Sequence, residues 1–414
     1  MATEANYFCG IDWASQKHDV CIIDPQGKVV SRFCPSHTAE GLTDLVRRLR
    51  RFGSVLVAIE RPSGLLVDTL LEAGFTVVPI HPNQLKATRP RYSAAQAKSD
   101  PGDAYILYIL ADLLRTDGHR FRVLHAPSDQ TRALRAAVRT RDDLVHSRVQ
   151  ICNQLRSLLE GFWPGPLGLF SELDNAISLS FLECFPTPQS AARLNEQRMG
   201  HFLQSHRYCG RTSARTLLAR LRAAAPGQTG EEESRTRGAL VLSLVAILRT
   251  LGEEIRKTEK LVRQHLRSHP DAVWLSSFPY IGEINAAQIL AELGDERARY
   301  ASADQLAAEG GVAPVTRASG RHRAVLFRYA CNTRLRCALT AWANNSRHGS
   351  AWAADLYEKA IARGCSHPHA VRILARAWVG VLWRCWSDRV SYDPHKHGSA
   401  AAFLKCEPPA AVAA

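Results

Sequence analysis

Tyr7-Phe8-Cys9-Gly10-Ile11-Asp12 is an apolar run that ends in a carboxylate, and it reads as a buried strand with an acid at its tip. Working outward, residues 18–24 and 28–34 are two more strand-like runs, and Pro25-Gln26-Gly27 between them is a tight hairpin turn. A helical stretch over 40–52 leads into Ser54-Val55-Leu56-Val57-Ala58-Ile59, a β-rich run that again ends in an acid, Glu60. A last strand is expected over 76–80. Carboxylates at strand ends meet along one edge of a sheet.

Two more acids lie in Ser99-Asp100-Pro101-Gly102-Asp103-Ala104. Asp100 is a good N-cap and Pro101 suits the first helical position, so a helix should run on through Ile106, Leu107 and Leu110. The three-residue spacing lets Asp100 and Asp103 lean the same way. The resulting order, β-β-β-α-β-α-β-α, describes a ribonuclease-H-like α/β sheet with Asp12, Glu60, Asp100 and Asp103 converging at its edge. Taken singly, each acid is explained as a turn former, a cap or half of a surface ion pair with Arg61. Taken together, they would repel one another unless cations held them, and hard oxygen ligands suit Mg²⁺ or Mn²⁺. Two such ions about 4 Å apart can activate an attacking oxygen and stabilise a leaving one at a phosphodiester.

Composition points the same way. Lysine plus arginine number 53 against 39 acids, a formal charge of +14 with a pI near 9.5. Most of the excess is arginine, whose planar fork binds two phosphate oxygens at once. No apolar run reaches about 18 residues and the N-terminus lacks a basic segment followed by an apolar one, so neither a membrane span nor a signal peptide is expected, and the protein should be intracellular. The 11 cysteines contain no Cys-x-x-Cys pair, which argues against a zinc ribbon. His367-Pro368-His369 and His395-Lys396-His397 have ligand spacing, but near a polar tail they read as solvated.

Beyond the acids the chain turns helical. Leu134, Val138, Val145, Cys152, Leu155 and Leu159 recur at helical steps with Arg132, Arg135, Arg139, Arg148 and Arg156 around them, up to the breaker Gly161-Phe162-Trp163-Pro164. A second stripe runs Leu244, Leu248, Leu251, Ile255, Thr258, Val262, Leu266, and the two could pair as a coiled coil within one chain or between two. Residues 225–233 between them look like an exposed linker. Further on, Phe278-Pro279-Tyr280-Ile281-Gly282 before a helical run resembles a helix-hairpin-helix with Tyr280 where a second glycine is expected. The basic, glycine-rich stretch 310–323 reads as a flexible loop in which Ser319 is flanked by Arg317, Arg321 and Arg323. Its hydroxyl could attack a phosphodiester while the guanidiniums offset charge, or the stretch could be a plain turn touching phosphate. Five of the eight tryptophans, Trp342, Trp352, Trp378, Trp383 and Trp386, fall in the C-terminal part and are most simply core, with base stacking the other use.

Gly10-Ile11-Asp12-Trp13-Ala14, Ile59-Glu60-Arg61-Pro62-Ser63-Gly64 and Lys98-Ser99-Asp100-Pro101-Gly102-Asp103-Ala104, followed downstream by the 278–320 region, resemble the DEDD transposases of the IS-one-ten insertion-sequence family, relatives of the DNA invertase Piv. The likeness runs in order and spacing from about residue 7 to 390, with Ala318 standing where the family often has serine. It implies a RuvC-like nuclease domain over 1–125, a helical coiled-coil insertion over 126–270 and a mostly α-helical transposase domain over 271–392, while the Ala/Pro-rich composition of 393–414 leads to the expectation of a disordered tail. It also implies that Asp12, Glu60, Asp100 and Asp103 bind metal, that Ser319 is the nucleophile, and that donor and target DNA are chosen by a bridge RNA. A homo-oligomer, dimer or tetramer, with sites shared between subunits, and a place in the bacterial cytoplasm at the nucleoid follow from the same likeness. A hydrolytic RuvC-like junction nuclease and a non-catalytic nucleic-acid-binding protein are the other readings.

Overall fold

The computed structural model describes residues 6–60, 62–81, 84–86, 100–117, 121, 123–225, 227, 229–319 and 322–398, without the side chains of 100–106 and 322–323. The chain forms two compact units, Met1–Ser128 with Glu296–Ala301, and Asp129–Asp295 with Ser302–Ala414.

The first unit is built on a sheet of β1 (Tyr7–Asp12), β2 (Asp19–Ile23), β3 (Val29–Phe33), β4 (Val55–Ile59) and β5 (Thr76–Pro79) in the order β3-β2-β1-β4-β5. β1 pairs antiparallel with β2, and β2 with β3, whereas β4 runs parallel to both β1 and β5. Helix α1 (Ala39–Arg50), capped by the Thr38 hydroxyl on the Gly41 amide, and helix α2 (Leu65–Glu72) supply the connections that parallel pairing demands. Cys9, Ile11, Val20, Ile22, Val57 and Ile59 bury against Leu42, Leu45 and Leu49 of α1 and Leu66 and Leu70 of α2. The opposite face packs Cys21, Ile23, Ala58 and Val78 against Leu107, Ile109, Leu110 and Leu113 of α3 (Asp100–Asp117). Both faces are covered, which is why the central strands read as continuous apolar runs. The mixed sheet and the mostly helical remainder match the expected fold class, and the strand order is consistent with a ribonuclease-H-like domain.

In the second unit, α4 (Asp129–Glu160) and α8 (Glu231–Ser268) lie along each other within one chain, tied by the Arg141 guanidinium on Glu259 at 3.0 Å. The buried positions of α8, Val241, Val245, Leu248, Ile255, Val262 and Leu266, keep three-and-four spacing. Between the long helices, α5 (Ala176–Cys184), α6 (Glu196–Ser205) and α7 (Ala214–Ala223) close a separate core around Phe162, Trp163, Phe181 and Phe202. The stretch expected to be a linker is tighter than its composition suggests. Glu231, Glu232 and Glu233 form the first turn of α8, where three carboxylates favour the helix dipole, and a Cβ on Gly227 would come within 1.8 Å of the Phe162 carbonyl oxygen.

The C-terminal part carries α9 (Glu283–Leu293), α10 (Ala303–Glu309), an antiparallel ribbon of β6 (Val315–Ser319) and β7 (His322–Leu326), then α11 (Thr333–Ser346), α12 (Ala351–Ala362) and α13 (His367–Asp388). Trp342, Trp352, Trp378 and Trp386 are buried, which makes these tryptophans core. Each of three fully enclosed indole N–H groups has an acceptor, the Pro279 carbonyl for Trp342, the Ser346 hydroxyl for Trp378 and the Gly294 carbonyl for Trp386. Within the expected tail, the His397 ring lies 4.5 Å from Trp352, while residues from 399 onward fall outside the description. Among the described residues, no helix is long and apolar enough to cross a membrane.

Candidate active site

Parallel pairing of β1 and β4 sets Ile11 opposite Ile59, so Asp12 and Glu60 are the next residue on each of two adjacent strands. Both are partly exposed. Gly10, two residues back and therefore on the same face of β1 as Asp12, is crossed by α3 so closely that a Cβ there would sit 2.2 Å from the Leu107 carbonyl oxygen. Arg115, near the other end of α3, packs on Gly27 and donates to the Pro25 carbonyl at the β2–β3 turn. That turn lies at the edge of the sheet where β1 begins, since Phe8 pairs with Ile23. Helix α3 therefore runs antiparallel to β1, and its first turn, from Asp100, heads for the edge that holds Asp12 and Glu60. The side chains of Asp100 and Asp103 lie outside the described residues, as does Arg61. Among the described residues, no group of three or more His, Cys, Asp or Glu side chains is gathered closely enough to hold a metal ion.

One acid at this edge was missed by sequence reasoning. Asp19 is the direct cross-strand partner of Asp12, so the two side chains share a face. Its carboxylate accepts the Cys34 thiol proton, and that bond is the largest cause raising the thiol's pKa, followed by burial. The clue lay in the hairpin register, which the six residues between β1 and β2 do not reveal by themselves. Within that connection the buried His18 accepts the Ala14 amide proton on Nδ1, which leaves Nε2–H to donate to His37 Nδ1 at 2.8 Å. Burial first, and His37 second, push its pKa down, so a neutral imidazole fixes the turn that follows Asp12.

Ser319 belongs to the second unit. The stretch read as a flexible loop is an antiparallel ribbon in which Ser319 is the last residue of β6 and pairs with His322. Residues Thr316 to Ser319 are exposed, so the ribbon projects rather than packs, and its alternation carries no burial pattern to announce it. Arg317 is exposed, Arg321 lies outside the described residues, and the side chain of Arg323 is likewise undescribed. The base of the ribbon is held by Phe327, whose ring lies 5.0 Å from the guanidinium carbons of both Arg336 and Arg372.

Comparison with known proteins adds the family. Residues 9–164 match the DEDD transposase model of IS110 elements, and residues 273–358 match the transposase model of the IS116/IS110/IS902 family. A Streptomyces coelicolor protein of the IS117 mini-circle is 34% identical over 94% of this chain and 96% of its own length. The chain belongs to the IS110/IS116 family of transposases. The 44.8 kDa protein of insertion element IS116 from Streptomyces clavuligerus is 28% identical over 93% of this chain and 96% of its own, and the IS110 43.6 kDa protein of Streptomyces coelicolor is 26% identical over 94% and 96%.

In this transposase the hairpin 278–282 has the backbone that its sequence half conceals. Tyr280 adopts a positive φ of 53° and Gly282 one of 64°, so the position where a second glycine was expected does use the left-handed region. The exposed Tyr280 ring covers Gly349, where a Cβ would meet it at 2.0 Å. Several arginines of the α4 stripe serve structure. Arg135 donates to the Ala291 carbonyl, Arg148 pairs with Asp174, and Arg139 makes a forked bond to Glu292 with both distances 2.9 Å.

Proposed function

We propose that this transposase cuts and rejoins DNA at a carboxylate site made by Asp12, Glu60, Asp100 and Asp103, with Ser319 as its nucleophile. The observation that carries the reading is the parallel register of β1 and β4, which ends both strands in a carboxylate at one edge. The donors are all hard oxygens, a set that fits Mg²⁺ or Mn²⁺. Bound there, such ions would supply Lewis-acid stabilisation of charge on the phosphodiester oxygens. Ser319 Oγ attacks phosphorus, an Oγ–P bond forms, and the bond to the 3′ oxygen breaks, with the serine proton ending on the released 3′ hydroxyl. A 3′ hydroxyl of the exchanged strand reverses the step and frees the serine. Arg317, Arg321 and Arg323 offset charge on the non-bridging oxygens.

The finer parts of the reading are a bridge RNA that selects donor and target DNA by base pairing, a homo-oligomer, and residence at the bacterial nucleoid with its substrates. Support for the oligomer comes from a second seam on α8. Leu240 and Ile247 are exposed seven residues apart and Leu261 fourteen further on, past Glu254, with half-buried Leu244 and Leu251 between them.

Protein incubated with Mg²⁺ and a junction-bearing substrate, then denatured, should carry a covalent DNA adduct. Ser319→Ala and Asp12→Asn should each abolish it. Nicking that persists in Ser319→Ala without an adduct would leave a hydrolytic junction nuclease instead.

A further inference from the structure

Residues 165–272 lie between the two stretches that the family models match. Within them, from Arg198 to Gly230, the chain has Arg198, Arg207, Arg211, Arg215, Arg220 and Arg222 and no aspartate or glutamate. Arg207, Arg211, Arg215 and Arg220 are exposed, and among the described residues none of them takes part in an ion pair. A field of one sign is thus left open to solvent on α7 and the connection that leads into it from α6.

Beside it is a cleft of about 600 Å³, within the size range of ligand sites, whose walls include Phe170, Ile177, Tyr208, Arg207 and Arg220 and no carboxylate. The Tyr208 ring is held in place, edge-on to Phe170 at 5.6 Å and so close over Gly210 that a Cβ there would meet it at 2.2 Å. The bend that presents Arg207 is a Schellman turn closing α6, with the Tyr208 amide on the Leu203 carbonyl and the Arg207 amide on Gln204. Its left-handed position, usually glycine, is Arg207 at φ 50°. Glycine would carry less strain there, and only the arginine puts a guanidinium at the cleft mouth.

We propose that this cleft binds an unpaired nucleotide of a single strand, the base against Tyr208 and Phe170 and the flanking phosphates on Arg207 and Arg220. Aromatic rings interleaved with phosphate-binding arginines are the arrangement that single strands require, because a stacked duplex does not offer its base faces. The proposal rests on the reading of this transposase as a protein that handles nucleic acid, and it names residues outside the proposed catalytic set that hold a strand.

The test uses the full-length protein and labelled oligonucleotides of one sequence as single-stranded RNA, single-stranded DNA and duplex DNA, with affinity followed across salt. Arg207→Gly combined with Arg220→Gln should weaken single-strand binding at least tenfold and flatten the log–log salt slope by about 1.4, the value for two phosphate contacts. Duplex binding should change less than twofold. The melting transition of the second unit should hold or rise, because Arg207→Gly relieves the left-handed residue. Loss confined to RNA or to DNA identifies which strand the cleft serves and supports the site in either case. Unchanged single-strand affinity, or an equal loss for duplex, overturns it. Ser319→Ala should keep full oligonucleotide affinity, so failure of the nucleophile assignment is separable from failure of this site.

Discussion

Glu292 is a buried carboxylate with three hydrogen bonds in place, two from the Arg139 fork and one from the Asn332 amide at 2.8 Å. Burial pushes its pKa up, but the bonds from Arg139 and Asn332, with the charges of Arg139 and Arg135, outweigh that and hold it below the usual glutamate range. A depressed folded pKa means that the stabilisation is fully present above the unfolded value and fades as pH falls through the folded one. Glu292→Gln should cost about 2–4 kcal/mol at neutral pH, toward the lower end because Arg139 is partly exposed and can be rehydrated. Its stability should also fall less steeply than the wild type's between pH 5 and about pH 3, as denaturant melts across that range would read. Equal slopes would mean that Glu292 is not the titrating group. Nothing in Ala291-Glu292-Leu293 announces this role, since a glutamate in a helical stripe normally faces water. The strand-end placement of Asp12 and Glu60 was legible because each directly follows a continuous apolar run, and the parallel register of β1 and β4 sets those two ends side by side.

At the scale of elements, what could be read followed how much of each pattern is local. The strands of the sheet and the two long helices show in their apolar periodicity, and their observed ends differ from expectation by a few residues. The ribbon of β6 and β7 was hidden because β6 is mostly exposed and lies in a glycine- and arginine-rich stretch that reads as a loop. An isolated two-stranded ribbon is marginal in water, so its order depends on an anchor. The Phe327 ring between Arg336 and Arg372 is that anchor, helped by Arg328 Nε donating to the Ala313 carbonyl at 3.0 Å. Phe327→Ala should forfeit about 1–2 kcal/mol of local cation–π contact. Amides of 315–326 should then exchange with solvent roughly tenfold faster, while those of α13 keep wild-type protection. A uniform change across both segments would mean that the ring supports the whole unit rather than the ribbon.

For the whole molecule, the division into two units has a thermodynamic consequence. Each has its own buried cluster, the sheet with α1, α2 and α3 in one, and Phe162, Phe181 and Phe202 with the long helices in the other. Separate cores of this kind unfold as separate cooperative blocks, so two calorimetric transitions are expected. The carboxylates assigned to metal all belong to the first unit. A ligand stabilises only the block that binds it, by RT ln(1 + [L]/Kd), or about 2.7 kcal/mol at a hundredfold excess over Kd. Saturating Mg²⁺ should therefore raise one transition by several degrees and leave the other in place, and Asp12→Asn should remove the shift. Glu292→Gln, in the second unit, should lower the transition that Mg²⁺ does not move. If Mg²⁺ moves both transitions together, or moves the same one in Asp12→Asn, the carboxylate edge is not where the ion binds. The pairing of the two substitutions matters because either alone confounds lost binding with lost stability, whereas opposite transitions responding to opposite perturbations cannot arise from a single cooperative fold.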